Sequence, residues 1–447
     1  MELLYYIQEL VWGPLLLVLV LGTGIYLTIR LRFIQILKLP LAMKYIVTQE
    51  KDAEGDISTF AALCTALAAT IGTGNIVGVA TALRIGGAGA LFWMWVSAFL
   101  GMATKYAESC LSVKYRTADK NGQRIGGPMF YITHGMGEKW KWLAKTFAFF
   151  GVLAAYFGCG VFAQINAIAE ASKIAFNASV PAVGLIVAFI VGIVILGGIE
   201  SVAKVAQWCV PFMALTYVVG GIFCISANSH NLPWAIKTIF HSAFTSSAVI
   251  GGGAGAAVIS VMTAMRIGIA RGIFSNESGL GSASIVAAAA KTSSCVRQGL
   301  VSMTGTFFDT LCVCTITGLV ILTSGAMENS SLQGVALTNA AFTTGIATEI
   351  GIFIVTVGLI FFAFTSIIGW NYYGERCLVF LTGGTKWLVP YRILYIILIA
   401  LAPHLTLTVI WTVGDIANAC MALPNLIALL VLSGIVCKET KAFFHKD

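Results

Sequence analysis

Charge is what this chain has least of. Only 10% of its 447 residues are Asp, Glu, Lys or Arg, against about 25% in an ordinary soluble domain, so no sizeable water-facing domain fits. Catalytic signatures are missing too. No HExxH, GxSxG or P-loop pattern occurs, and the five histidines (His134, His230, His241, His404 and His445) are scattered at loop ends without ligand spacing, which makes a membrane enzyme the weaker class. The N-terminus lacks the Lys or Arg of a signal peptide, and the apolar run from Trp12 to Ile29 is long enough to span, so it is expected to stay as the first helix.

What is there instead is apolar sequence almost end to end, 58% of the residues. A span needs about 20 mostly apolar residues to cross a hydrocarbon core of about 30 Å, whereas a barrel strand needs only about 9–11 alternating ones. The runs fit helices, which satisfy their own backbone hydrogen bonds in lipid. The eleven cysteines fall mostly within or beside these runs and read as small buried thiols; Cys312 and Cys314, the close pair, point to different helix faces.

Polar breaks divide the chain into eleven spans, near 11–30, 58–83, 88–113, 145–172, 180–199, 203–226, 243–265, 298–324, 349–375, 388–403 and 405–437. With the N-terminus outside, one face collects 24 of the 27 Lys and Arg residues, Arg266 and Arg271 among them, and leaves Arg84, Lys173 and Lys237 on the other. By the positive-inside rule the rich face is cytoplasmic, so the net charge of +8 orients the protein and implies no nucleic acid partner. The half-polar stretch Ala270 to Lys291 reads as a cytoplasmic segment with a short helix against the bundle; a re-entrant hairpin is the alternative.

The second span carries Gly72-Thr73-Gly74-Asn75 in its middle, and each glycine weakens a helix by about 1 kcal/mol relative to Ala. A mid-membrane break is one reading. Close helix approach through Gly74 and Gly78, spaced as GxxxG, is the other. About 180 residues later Gly251 to Gly255 interrupts another span after Thr245-Ser246-Ser247, and paired broken spans point to a transporter built from inverted repeats with its site at the midplane. Spans two to six and seven to eleven then form two sets of five, giving 1–57 as an extra helix and linker, 58–227 and 228–437 as the repeats, and 438–447 as a cytoplasmic tail.

A break frees NH groups that suit a carboxylate and carbonyls that suit a cation or ammonium group, so a zwitterionic amino acid fits both. Thr365 and Ser366 in the ninth span offer hydroxyls for an alkali cation, or else bond back to their own helix. Trp370, one turn on, is placed to wall a pocket or to pack, and Gln164 near mid-depth is a substrate contact or a structural polar group. Asp309 and Asp415 fit a gate, a proton relay or an ion pair.

The stretch Ala69 to Gly101 with Lys105-Tyr106-Ala107-Glu108 after it, and the block Gly272 to Ala283 (GIFSNESGLGSA), resemble the signature of the alanine or glycine:cation symporter family over nearly the whole chain. Ala88 and Ser284 stand where that family often has Pro. The resemblance implies an all-α LeuT-type fold of five plus five inverted helices with one extra at the N-terminus, and sodium-coupled uptake of alanine or glycine across the cell membrane. It further implies a sodium ion held by the carbonyls of Ala68 and Ile71, near Phe362, with the Thr365 and Ser366 hydroxyls. The substrate carboxylate is then expected at Gly72 to Asn75, and its amino group around Phe244 to Ser247, Ser246 included. A proton-coupled carrier and an amino acid channel are the rivals. A channel usually shows repeated filter sequences, and here the two glycine motifs differ.

Overall fold

The computed structural model describes residues 2–48, 50, 53–119, 122–245, 260–346, 348–405 and 408–445. They fold into an all-α bundle whose one strand pair is the short ladder Thr117–Ala118 with Arg124–Ile125. Large apolar side chains such as Leu185, Phe189, Trp208, Phe223 and Val389 lie more than half exposed on its flanks, the pattern of a surface solvated by lipid tails. Five described helices are long and apolar enough to span a bilayer: Glu138–Phe176, Gly198–Ala227, Cys295–Thr323, Ile350–Thr382 and Thr412–Phe444. Thr59–Thr70 and Gly74–Gly86 pass together as a sixth span bent by 53°, and Leu15–Arg30, Val180–Leu196 and Leu388–His404 are shorter apolar helices.

The glycine pair therefore does interrupt the second span. Ile71 leaves helical geometry at ψ 96°, and the chain resumes one turn later. The span Glu138–Phe176 is also interrupted, where the helix Lys141–Phe157 stops at Gly158 and restarts at Phe162, two residues before Gln164.

The largest correction concerns residues 261–290. Val261–Asn276 is a helix that runs beside Gly89–Lys114 in the same direction: Gly268 sits on Ala90 and Trp93, Gly272 on Met94 and Ser97, and Ser278 on Gly101. The chain then turns through Glu277, Gly279 and Gly281, all with positive φ (57°, 93° and 79°), into the helix Ser282–Ala287. Residues 275–290 are buried throughout. The stretch thus lies inside the bundle, broken between two helices, and is not a segment laid against its outside; its polar residues read as a loop because sequence alone does not reveal their partners within the bundle. Arg266 and Arg271 accordingly lie level with Ala90 to Ser97, at the end that also carries Arg84. Arg30, Arg32, Lys38, Lys114, Arg116 and Lys441 line cavities at the opposite end, so a basic cluster remains there among the described residues. A helix Leu232–Phe244 packs against the start of Gly89–Lys114, and most of the span expected at 243–265 lies outside the described residues. The glycine run Gly251 to Gly255, with Ser246 and Ser247, lies outside the described residues.

Candidate functional site

The two described breaks meet. A β-carbon on Gly74 would lie 3.0 Å from the Cα of Ser275 and 3.3 Å from its Cβ, so the first break rests on the last turn before the second.

At the first break the freed carbonyls converge. Gly72 N donates its hydrogen bond to Asn75 Oδ1 (2.9 Å) instead of to the helix before it, which releases the Ala68 carbonyl. Ser366 Oγ lies 3.1 Å from Ala68 O, 3.4 Å from Ile71 O and 3.0 Å from Phe362 O. A hydroxyl has one proton to donate. At least two of these three approaches therefore bring oxygen to oxygen with no hydrogen between, an arrangement a small cation would relieve. Thr365 Oγ1 adds a contact to the same Phe362 carbonyl at 3.0 Å and one to Met213 Sδ at 3.7 Å. All of these atoms belong to fully buried residues, and a β-carbon on Gly72 would sit 2.5 Å from Ser366 Oγ.

The NH groups of this break are already capped from within. Thr73 N donates to Gln164 Oε1 (3.2 Å), whose amide nitrogen is held by Cys159 O (3.0 Å) at the interruption of the fourth span. Asn75 Nδ2 is fixed by Asp309, through its carbonyl at 3.1 Å and Oδ1 at 2.8 Å. Asp309 Oδ2 in turn accepts from Ser275 Oγ (2.8 Å) and Thr310 Oγ1 (2.7 Å), so this carboxylate ties the first break to the second.

The second break holds a buried carboxyl group. Glu108 Oε1 accepts from Gly279 N (3.0 Å), Gly281 N (3.1 Å) and Asn425 Nδ2 (2.7 Å), with Tyr131 OH donating to Asn425 Oδ1 behind it. Lys105 Nζ donates to Asn276 O at 2.9 Å. Lys105 and Glu108 stand three residues apart, on one helix face. Ser112 Oγ continues that face by donating to Ser284 O (2.6 Å), and Arg116 ends it by donating to the carbonyls of Ala288, Ala290, Thr292 and Glu54. Glu277 accepts from Trp370 Nε1 (2.8 Å) and from Ser282 Oγ.

The whole chain, residues 1–447, matches the model of the sodium:alanine symporter family. The chain belongs to that family. Among similar proteins, an uncharacterised transporter of Haemophilus influenzae is 55% identical over 98% of this chain and 95% of its own length. The sodium/alanine symporter AgcS of Methanococcus maripaludis is 50% identical over 98% and 96%. The solved structure of MhsT in complex with L-phenylalanine shares the architecture at a TM-score of 0.59, with 11% identity over 85% of this chain and 90% of that one, which makes the fold LeuT-type. The protein is thus a multi-pass membrane transporter of amino acids and not an enzyme.

Within this family member, the structure brings together Ala68, Ile71, Gly72, Thr73, Gln164, Phe362, Thr365 and Ser366. Gly74 turns toward Ser275, so it carries the close-approach role that was one of its two readings, while Gly78 meets nothing nearer than 3.9 Å. Trp370 is buried but engaged with Glu277. Phe244 stands apart: it is 59% exposed, its ring against Phe92 and Trp93. Sequence reasoning assigned no role to Lys105, Glu108 or Glu277. The available signal was three ionisable residues inside apolar or small-residue runs, a costly placement in lipid.

Proposed function

We propose that the protein is a sodium-coupled symporter that carries alanine or glycine into the cell by alternating access. The observation that carries the reading is the convergence of three carbonyls on the single Ser366 hydroxyl beside Gly72. A hard, singly charged cation is the ligand such an oxygen set suits, and the names of the family and of the Methanococcus relative favour sodium and alanine. Ala68, Ile71, Phe362, Thr365 and Ser366 would hold the ion.

The substrate carboxylate would take the NH groups at Gly72 to Asn75. Gln164, whose amide oxygen now accepts from Thr73 N, acts in this reading as a neutral placeholder that the carboxylate displaces. Crowding by buried Trp370 limits the substrate to about the size of alanine or serine, so leucine and phenylalanine should compete poorly. Residues 58–227 and 228–437 serve as the two inverted repeats. The protein resides in the plasma membrane with the N-terminus outside and the C-terminus in the cytoplasm.

Radiolabelled alanine uptake into liposomes tests the reading under an inward sodium gradient, a proton gradient or neither. Accumulation driven by sodium alone is the expected result. Accumulation driven by protons alone, or equilibration without any gradient, would replace the symporter with a proton-coupled carrier or a channel.

A further inference from the structure

Where the first and last long helices end together, a cavity of about 350 Å³ opens, a size within the range of roughly 300–1,000 Å³ typical of small-ligand sites. Its rim carries Arg30, Arg32, Lys38, Lys441 and His445, and none of its lining residues is acidic. Its walls are apolar: Leu31, Ile34, Leu37 and Phe444.

Each part is held in place. Arg30 ends the helix Pro14–Arg30 and donates to Tyr26 OH (2.6 Å) and Ser433 Oγ (2.9 Å), which joins the first helix to the last. Arg32 and Phe33 both adopt left-handed backbone (φ 55° and 56°), a conformation that costs about 1–3 kcal/mol per non-glycine residue. That turn folds the following short helix Ile34–Leu37 back over the cavity. Lys38 Nζ lies 4.2 Å from the centre of the Phe444 ring, so its ammonium is parked on an aromatic face, with no carboxylate paired to it among the described residues. Arg32, Lys441 and His445 are exposed. Nearby Ile29, Phe33, Ile36 and Leu37 are exposed apolar side chains, continuous with the lipid-facing flank.

We propose that this cavity is a binding site for an anionic phospholipid, its phosphate among the basic rim residues and its acyl chains along the apolar flank. Scattered interfacial lysines would explain net charge alone. They do not explain a concave basic cluster with no acidic residue among its described lining and with apolar walls, the form taken by headgroup pockets between transmembrane helices. The position fits as well, because Arg30 and Lys441 stand in the last turns of two apolar helices, where basic side chains reach lipid headgroups. The proposal is independent of the transported substrate, since none of these residues belongs to the breaks.

The test is thermal unfolding of the purified full chain in detergent with added phosphatidylglycerol, phosphatidylcholine or inorganic phosphate. The comparison variant is Arg32→Gln/Lys38→Gln/Lys441→Gln, which leaves the Arg30 contacts intact. Phosphatidylglycerol should raise the melting temperature of the natural chain by about 4 °C at saturation, with no response to phosphatidylcholine or phosphate. The triple variant should melt normally in phosphatidylcholine and lose the phosphatidylglycerol response. An equal response in the variant, no response in the natural chain, or a full response to inorganic phosphate would each overturn the lipid site.

Discussion

Ser366 and Thr365 are neighbours in sequence but unequal in their surroundings. Ser366 Oγ touches carbonyls from both sides of the proposed ion position, whereas Thr365 Oγ1 touches only Phe362 O and a thioether. Ser366→Ala should therefore weaken apparent sodium affinity by at least tenfold, about 1.4 kcal/mol, and Thr365→Ala by clearly less. Sodium titration of alanine uptake in both variants checks the order; equal effects would remove the distinction.

Gln164 offers a second residue-scale test. Gln164→Glu would set a permanent carboxylate against Thr73 N at almost unchanged volume, filling the place of the substrate's own. Alanine binding should be lost with the melting temperature nearly preserved, as calorimetry and thermal unfolding on one sample would show. Retained binding would mean that the substrate carboxylate lies elsewhere.

Among the elements, the two broken spans show how one motif serves two purposes. In the first, Gly72 keeps space beside Ser366, and Gly74 keeps space for Ser275. Gly74→Leu should therefore act first on stability, by about 1–3 kcal/mol through overpacking, and the loss should persist without substrate. A variant that melts normally but no longer binds alanine would contradict this and return Gly74 to the substrate.

At the second break, Glu108→Ala strips the partner from Gly279 N, Gly281 N and Asn425 at once. Buried donors left bare cost about 1–3 kcal/mol each. Glu108→Gln retains an acceptor and should recover part of the stability, readable as intermediate melting between Glu108→Ala and the natural chain.

These elements also show what was legible beforehand. The break at Gly72 to Asn75 stood out because two glycines and an asparagine interrupt a long apolar run, and the Thr365-Ser366 pair stood out because hydroxyls are rare there. The break at Glu277 to Gly281 did not. Its serines, Asn276 and Glu277 carry the composition of a solvated loop, and only their partners on three other helices, Lys105, Glu108, Thr310 and Trp370, make them part of the bundle interior. The placement of Phe244 was lost for the same reason, since sequence does not say which helix a ring leans on.

For the whole molecule, the crowding of basic residues at one end supplies a topology that fusion reporters can read. A fluorescent protein joined after residue 447 should glow when expressed in bacteria, and an alkaline phosphatase at the same point should stay inactive. The opposite pair of results would invert the protein in its membrane and put the basic end outside.

Arg116 grips four main-chain oxygens, a set of contacts indifferent to the chemical identity of the residues that supply them. Those positions are free to drift, within the limits of space, without loosening the seam. Unlike a carboxylate partner, a peptide oxygen neither takes up a proton near neutrality nor gathers counterions. The share of the seam that Arg116 supplies, between the strap near Glu54 and the backbone of residues 288–292, therefore keeps its strength across changes of acidity and salt that would weaken the neighbouring contacts of the Glu50 carboxylate with Thr292 and Ser293.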